Sequence, residues 1–66
     1  MKYMLKVEPM DEKKISIHLS GGYYSLDLAK IDTEKLLSTF PGAIRTVTII
    51  DYDDGSAVAM WDGDWG

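Results

Sequence analysis

Few residues of this chain have types and spacings that could do chemistry. His18 is its single histidine. It sits between Ser16 and Ser20 at i±2, on one face of an alternating segment, where an imidazole could titrate near neutral pH. Nucleophilic catalysis needs a third group to orient the base. No acid is spaced to serve, so the pattern reads as a solvated strand face. A second group is Asp51-Tyr52-Asp53-Asp54-Gly55, with acids at alternate positions like the start of a calcium loop. Here glycine takes the fifth position and serine the sixth, and Asp62 stands at the twelfth where a bidentate glutamate is required. A hairpin turn at Asp54-Gly55 is the simpler explanation. Gly21-Gly22 lacks the Gly-Lys-Ser continuation of a phosphate-binding loop. There is no cysteine, so thiolate catalysis, zinc-thiolate ligation and a disulfide framework are excluded. The expectation is a protein with no catalytic residue, no metal ligand set and no cofactor.

Charge is more informative than any motif. The net charge is -4 over 66 residues. Residues 1–45 carry seven Lys and Arg against six Asp and Glu. Beyond Arg45 the only charges are Asp51, Asp53, Asp54, Asp62 and Asp64. An acidic final third disfavours direct contact with nucleic acid or anionic lipid and favours a cationic partner. Tyr52, Trp61 and Trp65 lie among these acids, and large aromatics are favoured anchors in protein interfaces. The expected partner-binding set is therefore Asp51, Tyr52, Asp53, Asp54, Trp61, Asp62, Asp64 and Trp65. Trp61 could equally serve the core, and Trp65 could make its contact within the chain.

Several elements must position these groups. Tyr3, Leu5 and Val7 alternate with Lys2, Lys6 and Glu8, which marks a half-buried strand. Pro9 and the polar run after it connect to a second strand, in which Ile15, Ile17 and Leu19 face in and Gly21-Gly22 closes the element. Residues 23–29 admit a third strand, favoured by the alternation of Tyr24, Leu26 and Leu28, or a helix starting near Ser25. A helix of about two turns follows, capped by Asp32, stapled by Ile31 against Leu36, and ended by Pro41 and Gly42. Ile44 to Trp61 reads as a β-hairpin. A two-residue type I′ turn at Asp54-Gly55 would pair Ile50 with Ala59 and Thr48 with Trp61. That register gathers Val47, Ile49, Val58 and Met60 on one face. Ile50, Tyr52, Ala57, Ala59 and Trp61 share the other, so both faces are partly apolar.

The fold expected is a single α+β domain spanning 1–66. It has a small antiparallel sheet of four to five strands and one short helix packed on one face, in the order β-β-(β)-α-β-β. Residues 62–66 are expected to form an acidic and aromatic tail, flexible unless it is docked. There is no signal-peptide pattern and no membrane-length apolar run, so a cytoplasmic location is expected.

In size, acidity and aromatic content the chain resembles the small inhibitors that phages carry against host defence, such as anti-CRISPR and antirestriction proteins. The resemblance is one of type, without a shared motif. It implies a non-enzymatic inhibitor that occupies the Arg and Lys sites of a nucleic-acid-handling protein, as a local nucleic-acid mimic. The alternative is a structural or regulatory module that self-associates, as a homodimer through the C-terminal hairpin.

Overall fold

The structure is a computed structural model and describes residues 2–65, with the backbone alone at 18–21. Four strands and one helix follow in the order β1 (Tyr3–Pro9), β2 (Ile17–Tyr23), α1 (Leu26–Thr39), β3 (Ile44–Asp51) and β4 (Ala57–Trp61). The strands form one antiparallel sheet, β2-β1-β3-β4, and the helix lies on one face. The chain is thus an α+β fold with a small antiparallel sheet and one helix.

The two central strands supply most of the core. Leu5 and Val7 of β1 stand opposite Ile49 and Val47 of β3, and all four are buried together with Ile44 and Ala29. These are the inward positions of the alternation, so period two in the sequence becomes one apolar face of the sheet. Along α1, Leu26, Ala29, Thr33, Leu36 and Leu37 recur at helical spacing and meet that face. Thr33 is fully buried, and its hydroxyl donates to the Ala29 carbonyl at 2.8 Å, so its own polar group is not stranded.

Residues 23–29 are not a strand beyond Tyr23. Ser25 takes an extended conformation (φ -137, ψ 157) and its Oγ accepts from the Leu28 amide, which starts α1 there. The helix therefore has 14 residues, about twice the expected length, and Asp32 lies inside it rather than at its cap. Ile31 is half exposed and lies within the helix rather than before its cap, so it is not an N-terminal staple. The apolar stripe through Leu26 and Ala29 is continuous with Leu36, and this seat on the sheet outweighs a short run of alternation at Tyr24, Leu26 and Leu28. The expected stop does hold: the chain turns at Pro41 and Gly42, where φ is +75.

Gly21-Gly22 does not end β2. The strand continues to Tyr23, and the register shifts between the Tyr3–Tyr23 and Leu5–Leu19 pairs. Gly22, at φ +83, is the residue that lets the chain make this irregularity. The strand also begins later than expected. Ile15 is 85% exposed and lies outside it, and Ile17 is 56% exposed. Leu19, also expected inside, has its side chain outside the described residues.

The hairpin register differs by one residue from that expected. Val47 pairs with Trp61, Thr48 with Met60 and Ile49 with Ala59. Ala59 and Trp61 therefore join Val47 and Ile49 toward the helix, and Met60 falls on the open face with Thr48. Ile50 pairs with Ala57, which leaves Val58 unpaired at a bulge. The connection is not a type I′ turn, since Asp54 has no positive φ. The Asp51 amide donates to the Ser56 carbonyl and the Gly55 amide to the Asp51 carbonyl, both at 2.8 Å, so residues 52–55 form the loop. Within that loop only Gly55 has a positive φ, +75. A longer loop moves the pairing by one residue, and a one-residue slip exchanges the faces of the whole strand.

Tyr23 carries a testable consequence of the packing. Burial, and then the nearby Asp32 carboxylate, push its pKa from the ordinary 10 up to about 12. The fold thus favours the neutral phenol. This contribution is complete below pH 10 and is lost as pH rises through about 12. Urea unfolding across that range should show wild type losing stability more steeply than Tyr23→Phe. Parallel curves for the two chains would remove Tyr23 as the cause.

Candidate functional site

The acids of the C-terminal third divide into two groups. Asp51 ends β3 and Asp53 and Asp54 belong to the loop that follows, beside the start of β1: Tyr3 pairs with Asp51, and the Tyr52 amide donates to the Lys2 carbonyl at 2.7 Å. Asp62 and Asp64 follow the far end of β4. Five strand residues separate the groups, about 17 Å at 3.3 Å per residue. The structure brings Asp51, Tyr52, Asp53 and Asp54 together and sets Asp62 and Asp64 apart from them.

Within the loop the carboxylates are held by the backbone they follow. Asp51 Oδ1 accepts from the Asp53 amide at 2.9 Å. Asp54 Oδ1 accepts from the Ser56 amide at 2.8 Å and from its hydroxyl at 2.6 Å. These bonds to Ser56 hold the Asp54 carboxyl below the usual carboxylate range. Asp53, Asp54 and Tyr52 are exposed, and Asp51 is half-buried. The loop is a braced display of negative charge with an exposed aromatic ring beside it.

Among the described residues, none of these aspartates has an ion-pair partner. The ion pairs lie elsewhere: Arg45 meets Glu8 at 2.8 Å and Glu12 at 3.7 Å, and Lys6 meets Glu8 at 3.6 Å. The Arg45 hydrogen bond, assisted by the charge of Lys6, lowers the pKa of Glu8. Lys2, next to the acidic loop in the sheet, sets its Nζ 5.8 Å from the centre of the Tyr3 ring.

Trp61 and Trp65 are placed differently from the acids. Both are half-buried and pack against the core, and they face each other across an antiparallel bridge. Gly63, at φ +115, makes the reversal between them. Asp64 Oδ1 accepts from the Trp65 amide at 2.9 Å. Lys30 of α1 lies 5.1 Å from the Trp65 ring centre, within cation–π range. The tail up to Trp65 is thus folded back onto the end of β4. Gly66 lies outside the described residues.

The side chains of His18 and Ser20 also lie outside the described residues. Among those described, no group of three His, Asp or Glu side chains converges as a metal-binding cluster. No described helix is long and apolar enough to cross a membrane. Sequence reasoning missed one site, the apolar groove of about 270 Å³ between the end of α1 and the start of β2. Ile17, Leu36, Phe40 and Ile44 line it, with Lys14 at its side. The signal was present in Ile17, but only the sheet order reveals that its strand is an edge.

Comparison of the chain with protein-family models, with curated proteins and with solved structures finds no match in any of the three.

Proposed function

We propose that the chain is a non-catalytic binding protein whose acidic β3–β4 loop engages a basic protein partner. The observation that carries this reading is the loop itself. Three aspartates are set within four residues, two of them fixed by turn hydrogen bonds, beside an exposed tyrosine and without an ion-pair partner among the described residues. Charge held in place before binding needs little reordering on contact. It meets Arg or Lys through charge-assisted hydrogen bonds. Asp62 and Asp64, about 17 Å away, belong to a separate contact or to none.

A narrower form of the reading is an inhibitor that fills part of the basic site of a nucleic-acid-handling complex, in the manner of anti-CRISPR and antirestriction proteins, within the cytoplasm. Duplex DNA carries a charge about every 1.7 Å of axis. One loop of three carboxylates can replace a few phosphates and no longer stretch, so the partner site would be local.

Replacing all three aspartates with lysine would also remove the turn acceptors. Asparagine keeps the Oδ1 acceptor and removes the charge. Titration of the labelled protein with an oligoarginine peptide should shift amide resonances at 51–56 and weaken with added salt. The Asp51→Asn, Asp53→Asn, Asp54→Asn variant should bind on the order of tenfold less tightly with its thermal midpoint little changed. Shifts centred on Asp62 to Trp65, or undiminished binding by the triple variant, would reject the loop as the site.

A further inference from the structure

The two outer edges of the sheet are treated differently. The edge of β4 is met at its last residue, Trp61, by Trp65, with Asp62 and Asp64 in the turn between them. The edge of β2 has no neighbouring strand among the described residues. Proteins commonly protect such edges with charge, because unpaired amides and carbonyls recruit another strand. Here the reverse holds. From Ile15 to Leu26 there is no Asp, Glu, Lys or Arg, in a chain that is 27% charged.

The surroundings of β2 are also self-complementary. The two most exposed large apolar side chains flank it: Ile15, 85% exposed, precedes its first residue, and Tyr24, 78% exposed, follows its last. Charge is divided in the same sense. At the first end, Glu12 is paired with Arg45 and Asp11 accepts from the Lys13 amide, while Lys13 and Lys14 make no ion pair among the described residues. At the other end stands Asp27, in the first turn of α1. Of the two lysines near that end, Lys30 lies over Trp65 and Lys2 over Tyr3.

We infer that β2 is the contact strand of a homodimer, in which a second copy pairs antiparallel along it. A two-fold axis through the edge joins the two sheets into one, with both helices on the same side. It lays Ile15 of each copy against Tyr24 of the other, and Lys14 against Asp27, each contact occurring twice. The groove beside Ile17 and Phe40 then lies along the seam. Parallel pairing would set Lys14 against Lys14 and leave each Ile15 without the aromatic ring, so it lacks this complementarity.

Sedimentation equilibrium of the whole chain tests the inference, together with hydrogen exchange at low and high concentration. Wild type should reach twice the 7.4 kDa chain mass as concentration rises, with slowed exchange at the amides of β2. Ile15→Glu, at a site too exposed to disturb the core, should raise the dissociation constant by about tenfold or more. Lys14→Glu should weaken the dimer, and adding Asp27→Lys to it should restore much of the loss. A chain that stays at 7.4 kDa at every concentration overturns the inference. So does a dimer indifferent to Ile15→Glu, or one whose protection falls on β4. None of these outcomes depends on the acidic loop.

Discussion

Leu5→Ala should lower the unfolding free energy by about 3 kcal/mol, enough to leave the chain close to its unfolding threshold. Leu5 is fully buried on a central strand, opposite Leu19 on one side and Ile49 on the other. Its removal takes away burial and leaves a cavity that Ala29, Val47 and Ile49 can close only in part. A domain of this length has roughly 3–10 kcal/mol in total at 0.05–0.15 kcal/mol per residue. At 4–8 °C for each kcal/mol, the thermal midpoint should fall by more than about 10 °C. Ile15→Ala is the control: that side chain is 85% exposed, and its loss should cost less than about 0.5 kcal/mol in the monomer. Urea denaturation of both variants measures the difference. A cost below about 1 kcal/mol for Leu5→Ala would mean that the helix is not seated on β1 as described.

Trp65→Ala should cost about 2 kcal/mol, a little less than the loss of a fully buried aromatic. Trp65 is half-buried, rests against the core and Trp61, and lies under the Lys30 ammonium. The same substitution should speed amide exchange at Trp61, because the bridge that covers the end of β4 goes with it. Trp65→Phe should recover most of the stability, and Lys30→Met should cost no more than about 1 kcal/mol. The oligoarginine titration should be unaffected in Trp65→Ala. If instead stability is unchanged and peptide binding is lost, Trp65 is a partner contact rather than a clasp for the tail.

The two tryptophans illustrate where a sequence misleads about a surface. Both stand among acids, and Trp65 is bounded by Asp64 and Gly66, which suggests an exposed contact. Gly63 instead folds the chain back so that Trp65 meets Trp61 on the helix side of the sheet. The acids behaved differently, because a solvated carboxylate next to a turn needs only local bonds. Asp51 and Asp54 do cap their own loop, and their exposure follows from the turn whatever its type. Their distance from Asp62 and Asp64 depends on the length of β4, which the sequence leaves open by a residue or two.

Alternation along Tyr3 to Val7 and Val47 to Ile49, the stop at Pro41 and Gly42, and the lack of any basic residue after Arg45 were legible in the chain itself, because each depends on local chemistry or on composition. Those features were enough for a small antiparallel sheet under one helix. Pairing and packing decided the rest. They extended α1 back to Ser25, carried β2 through its glycines, shifted the hairpin by one residue so that Trp61 faces the helix, and left β2 as an open edge. The reason is that neighbouring registers and adjacent helix starts differ little in local propensity. Which one forms depends on apolar area buried between segments far apart in sequence, and no short window of residues contains that quantity.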